Sequence, residues 1–444
     1  MESPDARAHR LDMERRAGEP SVKVPLEAGR VLTSKEWEGY CKGVISDCID
    51  CNFRPGEFRS LGPDFALLLK PGEWPRLANL AEELTREMLA AEQELASRTD
   101  LYRLLGLPSS IQRVMEECGP RCQPKGAARL IRFDFHFTKE GWLLSEGNTD
   151  LPDGFEGFGF TKAMSPYYPG FSPPPNPASK YAEAIRRVAG RHSLIVLVHT
   201  REYVRHAQFL ARELERSGMR TTLLLPRRLW WTANRARIRA SSGMLRPDLL
   251  VRRIPAPWLP MPSQRAEWEP WFCGGKTPMS NPGGVVVTAS KLFPVVWREL
   301  DTRMSAWRSF LPETRCPREL PGGSITDWVF KPTFGSNGAG IAIAGVTKRQ
   351  AFREIADSAR RNPTKWVAQR RFESVGLPTE RGPGHVCLGI YTINGVAAGA
   401  FTRIRGSALI DQHSLLIPVL IPDSDARSGR VLGGPFNSEK VNKL

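Results

Sequence analysis

The stretch LIRFDFHFTKEGWLLSEGNTD, Leu130–Asp150, decides how the chain is read. Arg132, Asp134 and His136 alternate with Phe133, Phe135 and Phe137, and Glu146, Asn148 and Asp150 follow at every second position. Period-two alternation means strands, and the break at Lys139-Glu140-Gly141 suits a three-residue hairpin loop with Gly141 in the left-handed position. Thr138 then faces Trp142, Asp134 faces Glu146 and Arg132 faces Asn148. Two carboxylates opposite each other repel by up to about 1 kcal/mol. One resolution is a bound divalent cation. Asp134, Glu146 and Asn148 offer only oxygen, the ligand type that Mg²⁺ selects. The other is a solvated hairpin face on which Arg132 neutralises the acids. The Phe133, Phe135 and Phe137 face reads as core.

Outward from this hairpin, Trp74–Leu95 carries Leu77, Leu80, Leu84, Met88 and Leu95 at helical steps. PYYPGFSPPPNP, residues 166–177, reads as a connector between domains. Beyond it, Leu194–His199 is a continuous apolar strand and Tyr203–Ser217 an amphipathic helix ended by Gly218. Thr221–Leu225 and Asp248–Ile254 are further strands. Strand, helix, strand at this spacing predicts a small parallel sheet. It has no GxGxxG, which argues against a dinucleotide site there. VVVT, residues 285–288, precedes a helix expected over Lys291–Leu300. The last third reads as one antiparallel sheet crossed by a helix over Thr347–Arg360, with Asn394-Gly395 as a hairpin turn. Val329–Pro332 is a strand that ends in Lys331, and Gly335, Gly338 and Gly340 follow in a loop with few side chains. Such a loop can bring backbone N–H groups close to an anion. It does not match GxxxxGK[ST], so it is not a Walker loop. Lys291 and Arg403 are further cations on predicted elements.

The chain has 444 residues, 41% hydrophobic and 25% charged. That is too long for one core and typical of a globular protein. No apolar run approaches the roughly 18 residues of a membrane span, and the N-terminus lacks the apolar core of a signal peptide. Residues 1–24 read as a disordered leader and the protein as cytoplasmic. The eight cysteines show no zinc-module spacing, so reduced, mostly buried thiols are expected. The net charge is +16, and residues 201–240 hold ten Arg against three Glu. Nucleic acid is one partner such a segment could attract. Its alternation with a buried α/β pattern favours a charged helix face instead, so nucleic-acid binding is not expected.

Together these blocks resemble the ATP-grasp ligases, and within them the circularly permuted branch typified by glutathionylspermidine synthetase. IRFDFHF…LLSEGNTDLP is similar to that branch's RxDF…LxExNxDxP, and SKLFPVVW (290–297) to its NKxxLPxxW. VFKPTFGSNGAGI is similar to its lysine strand and glycine lid, and VAQRRF to the hinge strand before the adenine. INGVAAGAFTRIRGSALI is similar to xxGxxAGxxxRxxxxLI. The blocks cover about 128–152 and 285–420. Glu146-Gly147-Asn148 precedes Lys291 and Lys331, the reverse of the usual ATP-grasp order, which is what makes the resemblance specific to the permuted branch. Two departures stand out: Ser290 where the family usually has Asn, and GNTDLPDGFEGFG where Thr or Ser commonly follows the Pro.

The resemblance implies an α/β (mixed α+β) fold, a circularly permuted ATP-grasp with a small parallel-sheet domain. The expected division is 25–175 with the metal-binding hairpin, 176–284 as the small α/β domain, and 285–444 as the nucleotide-binding and lid region. It implies ATP and Mg²⁺ as cofactors, with Asp134, Glu146 and Asn148 holding the metal. Lys291, Lys331, Gly335, Gly338, Gly340 and Gln369 would bind the nucleotide, and Arg132 and Arg403 would face the transferred phosphate. The implied activity is ATP-dependent joining of a carboxylate, small or peptidic, to an amine. The rival reading is a degenerate scaffold that binds nucleotide or peptide without ligation.

Overall fold

The structure is a computed structural model. It describes residues 24–48, 62–122, 128–240, 243–264, 267–335 and 338–428. The leader expected over 1–24 lies almost wholly outside the described residues. In chain order, helix α1 spans Glu73–Leu95, and strands β1 and β2 span Leu130–Thr138 and Gly141–Asn148. Helix α2 (Pro177–Ala189), β3 (Leu194–His199), α3 (Val204–Arg216) and β4 (Arg220–Leu224) follow. Then come β5 (Leu229–Thr232), β6 (Arg235–Ala240), β7 (Gly243–Leu245), β8 (Leu249–Arg253) and β9 (Met279–Ser280). The last third holds β10 (Thr314–Arg315), β11 (Trp328–Pro332), α4 (Arg349–Arg361) and β12 (Trp366–Arg370). It ends with β13 (His385–Ile393), β14 (Val396–Arg405) and β15 (Leu415–Leu416).

The chain is a mixed α/β protein built on several sheets. The central one is antiparallel, in the order β15-β14-β13-β1-β2. It joins the early hairpin to the late one through β1 and β13, with Asp134 opposite Gly389 and Arg132 opposite Tyr391. Phe133 and Phe135 on one face of β1 are fully buried in the main core, with Leu77, Leu84, Met88 and Leu95 of α1. The alternation of β1 thus sends its aromatics to the core and its polar set to the opposite face.

The parallel sheet forms as expected and gains a fourth strand, in the order β9-β8-β3-β4. Its core contains Tyr181 and Ile185 of α2 and Leu210 and Leu214 of α3. Tyr391 and Phe401 of the central sheet join the same core, so the two sheets share it. The end of the arginine-rich segment, from Leu229, enters a separate antiparallel sheet, β7-β6-β5.

Four local expectations change. Thr138 pairs with Gly141 rather than Trp142, so the turn holds only Lys139 and Glu140. A bulge between Asp134 and Phe135 then absorbs Ser145 as an extra residue and restores Asp134 opposite Glu146 and Arg132 opposite Asn148. The last third is two sheets, not one: β13–β15 belong to the central sheet, whereas β10-β12-β11 is a separate three-stranded sheet backed by α4. VVVT forms mostly a single helical turn, Val286–Ala289, and the helix expected after it is a 3-10 helix, Phe293–Glu299. Pro294 at its start, with no N–H to donate, is compatible with that first turn. Finally, the thiols are not all reduced, because Cys118 and Cys273 form a disulfide. A sequence separation of 155 hid that pairing from any spacing argument.

Candidate functional site

The cleft face of the central sheet is set by the bulge. In a regular ladder the two-residue turn would place Glu146 opposite Phe133, on the core face. The extra residue at Ser145 returns it to the face of Asp134. That face is not solvated: Arg132 is 7% exposed and Asp134 2%. Arg132 forks onto Asp134, Nε to Oδ1 at 2.6 Å and Nη2 to Oδ2 at 3.0 Å, and its Nη1 donates to Asp153 O. Its guanidinium also lies 4.9 Å from the Phe401 ring centre. The fork needs the space above Gly389, where a Cβ would stand 2.7 Å from Arg132 Cδ and 3.0 Å from Asp134 Oδ1. Asn148 Nδ2 donates to Asp134 Oδ2 at 3.2 Å.

The opposite wall is the three-stranded sheet. Trp328 and Phe330 of β11 turn toward α4, which leaves Val329 and Lys331 on the cleft side. Lys331 Nζ donates to Gln369 Oε1 at 2.7 Å and to Ser145 O at 3.1 Å. Lys291 Nζ lies 3.2 Å from Glu146 Oε2 and donates to Gly335 O at 2.9 Å. From β14, Arg403 reaches Asp134 Oδ2 at 3.5 Å. Its buried Nε has no hydrogen-bond partner among the described residues.

Burial pushes Lys331 down to about 8, against the opposing pull of Glu146. Burial raises Glu146, but Lys291 and Lys331 outweigh it and hold the carboxyl at about 2. His136 is lowered to about 4, chiefly by burial, and is therefore a neutral ring near neutral pH. The Cys387 thiol is pushed up to about 12 by burial, which argues against a role as nucleophile.

All eleven of the expected site residues except Gly340 line one cleft. Gly340 lies two residues from Gly338 on its rim, and both have left-handed φ, +74° and +71°. A Cβ at Gly338 would meet Ile410 O at 2.8 Å, so the glycine loop sits against the segment after β14. Ser336 and Asn337 lie outside the described residues. Sequence reasoning missed His136, Cys387 and Phe372, which also line the cleft. For His136 the signal was present, since it shares the alternation of Arg132 and Asp134. For Phe372 a signal was present too, since it ends VAQRRF, the block similar to the hinge strand; Cys387 depends on sheet pairing and had none.

The cleft has two lobes, of about 320 and 350 Å³, that share Glu146, Asn148, Lys291 and Lys331. The first is lined by five cations, Arg132, Lys291, Lys331, Arg371 and Arg403, against four carboxylates, Asp134, Glu146, Asp153 and Glu373. That leaves an excess of one positive charge near the orphaned guanidinium N–H of Arg403, an arrangement suited to an anion. As for a metal, no cluster of three or more His, Cys, Asp and Glu exists among the described residues. The candidate set is two carboxylates and an amide oxygen. Asp134 is taken up by Arg132, whereas Glu146 Oε1 and Asn148 Oδ1 accept no hydrogen bond from the described residues. These hard oxygen donors fit Mg²⁺ with few protein ligands.

No family model matches the sequence, and no curated protein matches it. Among solved structures, the chain is similar to one described as a "Putative gamma-glutamylcysteine synthetase" from Methylobacillus flagellatus KT. Identity is 10%, coverage is 73% of this chain and 88% of that one, and the TM-score is 0.37. A likeness of that size carries no argument about fold or activity.

Proposed function

We propose that the protein is an ATP-dependent carboxylate–amine ligase of the circularly permuted ATP-grasp type. The observation that supports this most is the first lobe, where Lys291, Lys331 and Arg403 converge and the buried Nε of Arg403 has no partner among the described residues. A nucleotide polyphosphate supplies the missing negative charge. Lys291, Lys331 and Arg403 would bind its oxygens, with the Gly335–Gly340 loop over them and Gln369 holding Lys331 in place. Arg132, locked by Asp134, would present its remaining N–H groups to the transferred phosphoryl. Glu146 and Asn148, with Asp134, would hold Mg²⁺. Held there, Mg²⁺ would offset the charge of the phosphate oxygens.

In this reading a substrate carboxylate oxygen attacks the γ-phosphorus, and the bond from that phosphorus to the ADP oxygen breaks. The resulting acyl phosphate is attacked at its acyl carbon by the amine nitrogen. Phosphate leaves, and the nitrogen loses a proton to give the amide. Phosphoryl transfer mainly needs positioning and charge neutralisation, so no protein nucleophile is required, and the raised Cys387 thiol is consistent with that. The division into 25–175, 176–284 and 285–444 belongs to the same proposal. The central sheet then joins the first and last of these.

The test is ADP release by the purified chain, screened over mixtures of acids and amines with Mg²⁺ present. Release that needs both an acid and an amine is expected. Nucleotide binding without release under any mixture would leave only a binding scaffold, and absence of nucleotide binding would sink the proposal.

A further inference from the structure

The second lobe differs in chemistry from the first. Its walls are Trp258, Phe293, Pro294, Trp307, Leu311 and Phe334. Trp307 is 3% exposed, and its indole N–H already donates to Leu84 O, so the ring offers the lobe only apolar surface. Phe293 and Trp297 fix it edge to face, at 6.0 and 5.9 Å. Trp258 closes the other side, edge on to Tyr203 at 6.3 Å.

The hydroxyls of Thr288, Ser290 and Thr314 and the carboxylate of Asp150 already have partners in the protein. Thr288 Oγ1 donates to Glu92 and Ser290 Oγ to Leu105 O. Thr314 Oγ1 donates to Pro312 O and accepts from Gln369. Asp150 is paired with Arg252 at 2.5 Å and accepts from Ala256 N. Apart from Asp150, which is paired with Arg252, charge enters at the mouth shared with the first lobe, through Glu146, Lys291 and Lys331. An occupant therefore gains from an apolar body inside the lobe and an anionic end at the mouth. A polycation would find no unpaired carboxylate inside.

We propose that this lobe selects the acid: a carboxylate with an aromatic or branched aliphatic body, its carboxylate turned to Lys291 and Lys331. This rests on the ligase reading for the acid's role as reactant, but not for its binding.

The test is calorimetry on the full chain with Mg²⁺, using 3-phenylpropanoate as the apolar acid, spermidine as the polycation and AMP-PNP as the nucleotide. Phenylpropanoate should bind with AMP-PNP already bound, and spermidine should show no saturable binding. Trp258→Ala should weaken phenylpropanoate roughly tenfold, the scale of losing part of one aromatic wall. Trp258→Phe should recover most of the affinity, and AMP-PNP affinity should be the same in all three proteins. Competition between phenylpropanoate and AMP-PNP would overturn the proposal, because the base would then occupy the lobe. Saturable spermidine binding or a failure of phenylpropanoate to bind wild type would also overturn it, and neither depends on a variant folding. Phenylpropanoate binding without AMP-PNP binding would uphold the lobe while removing the ligase reading.

Discussion

Lys331 is held where burial opposes its own charge, and that gives the site a pH signature. Its value falls from an ordinary 10.5 to about 8. Between those pH values the unfolded chain binds more protons at this group than the folded one. Stability from this group therefore rises with pH across that window, and the cost of burying the ammonium is fully present below about 8. A polyphosphate beside Lys331 favours the ammonium, so nucleotide binding near pH 8 should take up protons. Calorimetry in two buffers of different ionisation enthalpy measures that uptake, and it should vanish in Lys331→Ala. The same variant should weaken ATP by about 1.5–3 kcal/mol, the range for a charge-assisted contact. Wild-type affinity and uptake in the variant would remove Lys331 from the phosphate site. Glu146→Gln keeps size and removes one charge, so turnover dependent on Mg²⁺ should be lost with the circular dichroism spectrum unchanged. Activity that survives a magnesium titration in this variant would exclude Glu146 as a metal ligand.

At the scale of elements, the bulge at Ser145 and the glycine loop define the cleft. The facing of Asp134 and Glu146 was legible in the sequence, although the turn assumed for it was one residue too long. The alternation fixed the face within each strand. The bulge was not legible, because an extra residue on a strand leaves the composition unchanged and shows only in the pairing. That Arg132 neutralises an acid was one of the two readings, but its buried fork onto Asp134 was not legible, since it needs the bare Gly389 of a strand more than 250 residues away. The loop carries its own prediction. Gly338 combines left-handed φ with a backbone oxygen only 2.8 Å from where a Cβ would stand. Gly338→Ala should therefore unseat the loop from Ile410 and lower nucleotide affinity, with little change in the thermal midpoint. If the loop covers the phosphates as proposed, hydrogen exchange on peptides covering residues 333–342 should slow when ATP and Mg²⁺ bind. Equal exchange with and without bound nucleotide would take the loop out of the mechanism.

At the scale of the molecule, the cleft exists only because distant segments share a sheet and a buried joint. The parallel sheet was readable from its apolar strands, and its join to the central hairpin was not, because it runs through a buried charge. Arg252 on β8 has no exposed side-chain surface. It pairs with Asp150 just past β2 and donates to the carbonyls of Asn281, Ile254 and Pro282. Asn281 continues the joint, since its amide donates to Leu130 O, Thr149 O and Asp150 O and accepts from Leu130 N. Both ends of the β1–β2 hairpin are thus tied to the parallel sheet through one polar cluster. Removing a single member of a buried pair leaves the other charge uncompensated, at a cost of roughly 3–5 kcal/mol. Arg252→Met should therefore lower the thermal midpoint strongly, although it adds no clash. Asp150→Asn, which keeps an oxygen for Ala256 N, should cost less. The double variant should cost less than the sum of the two, because each single change already breaks the same pair. Strict additivity in thermal or denaturant unfolding would mean that this pair does not hold the parallel sheet to the hairpin.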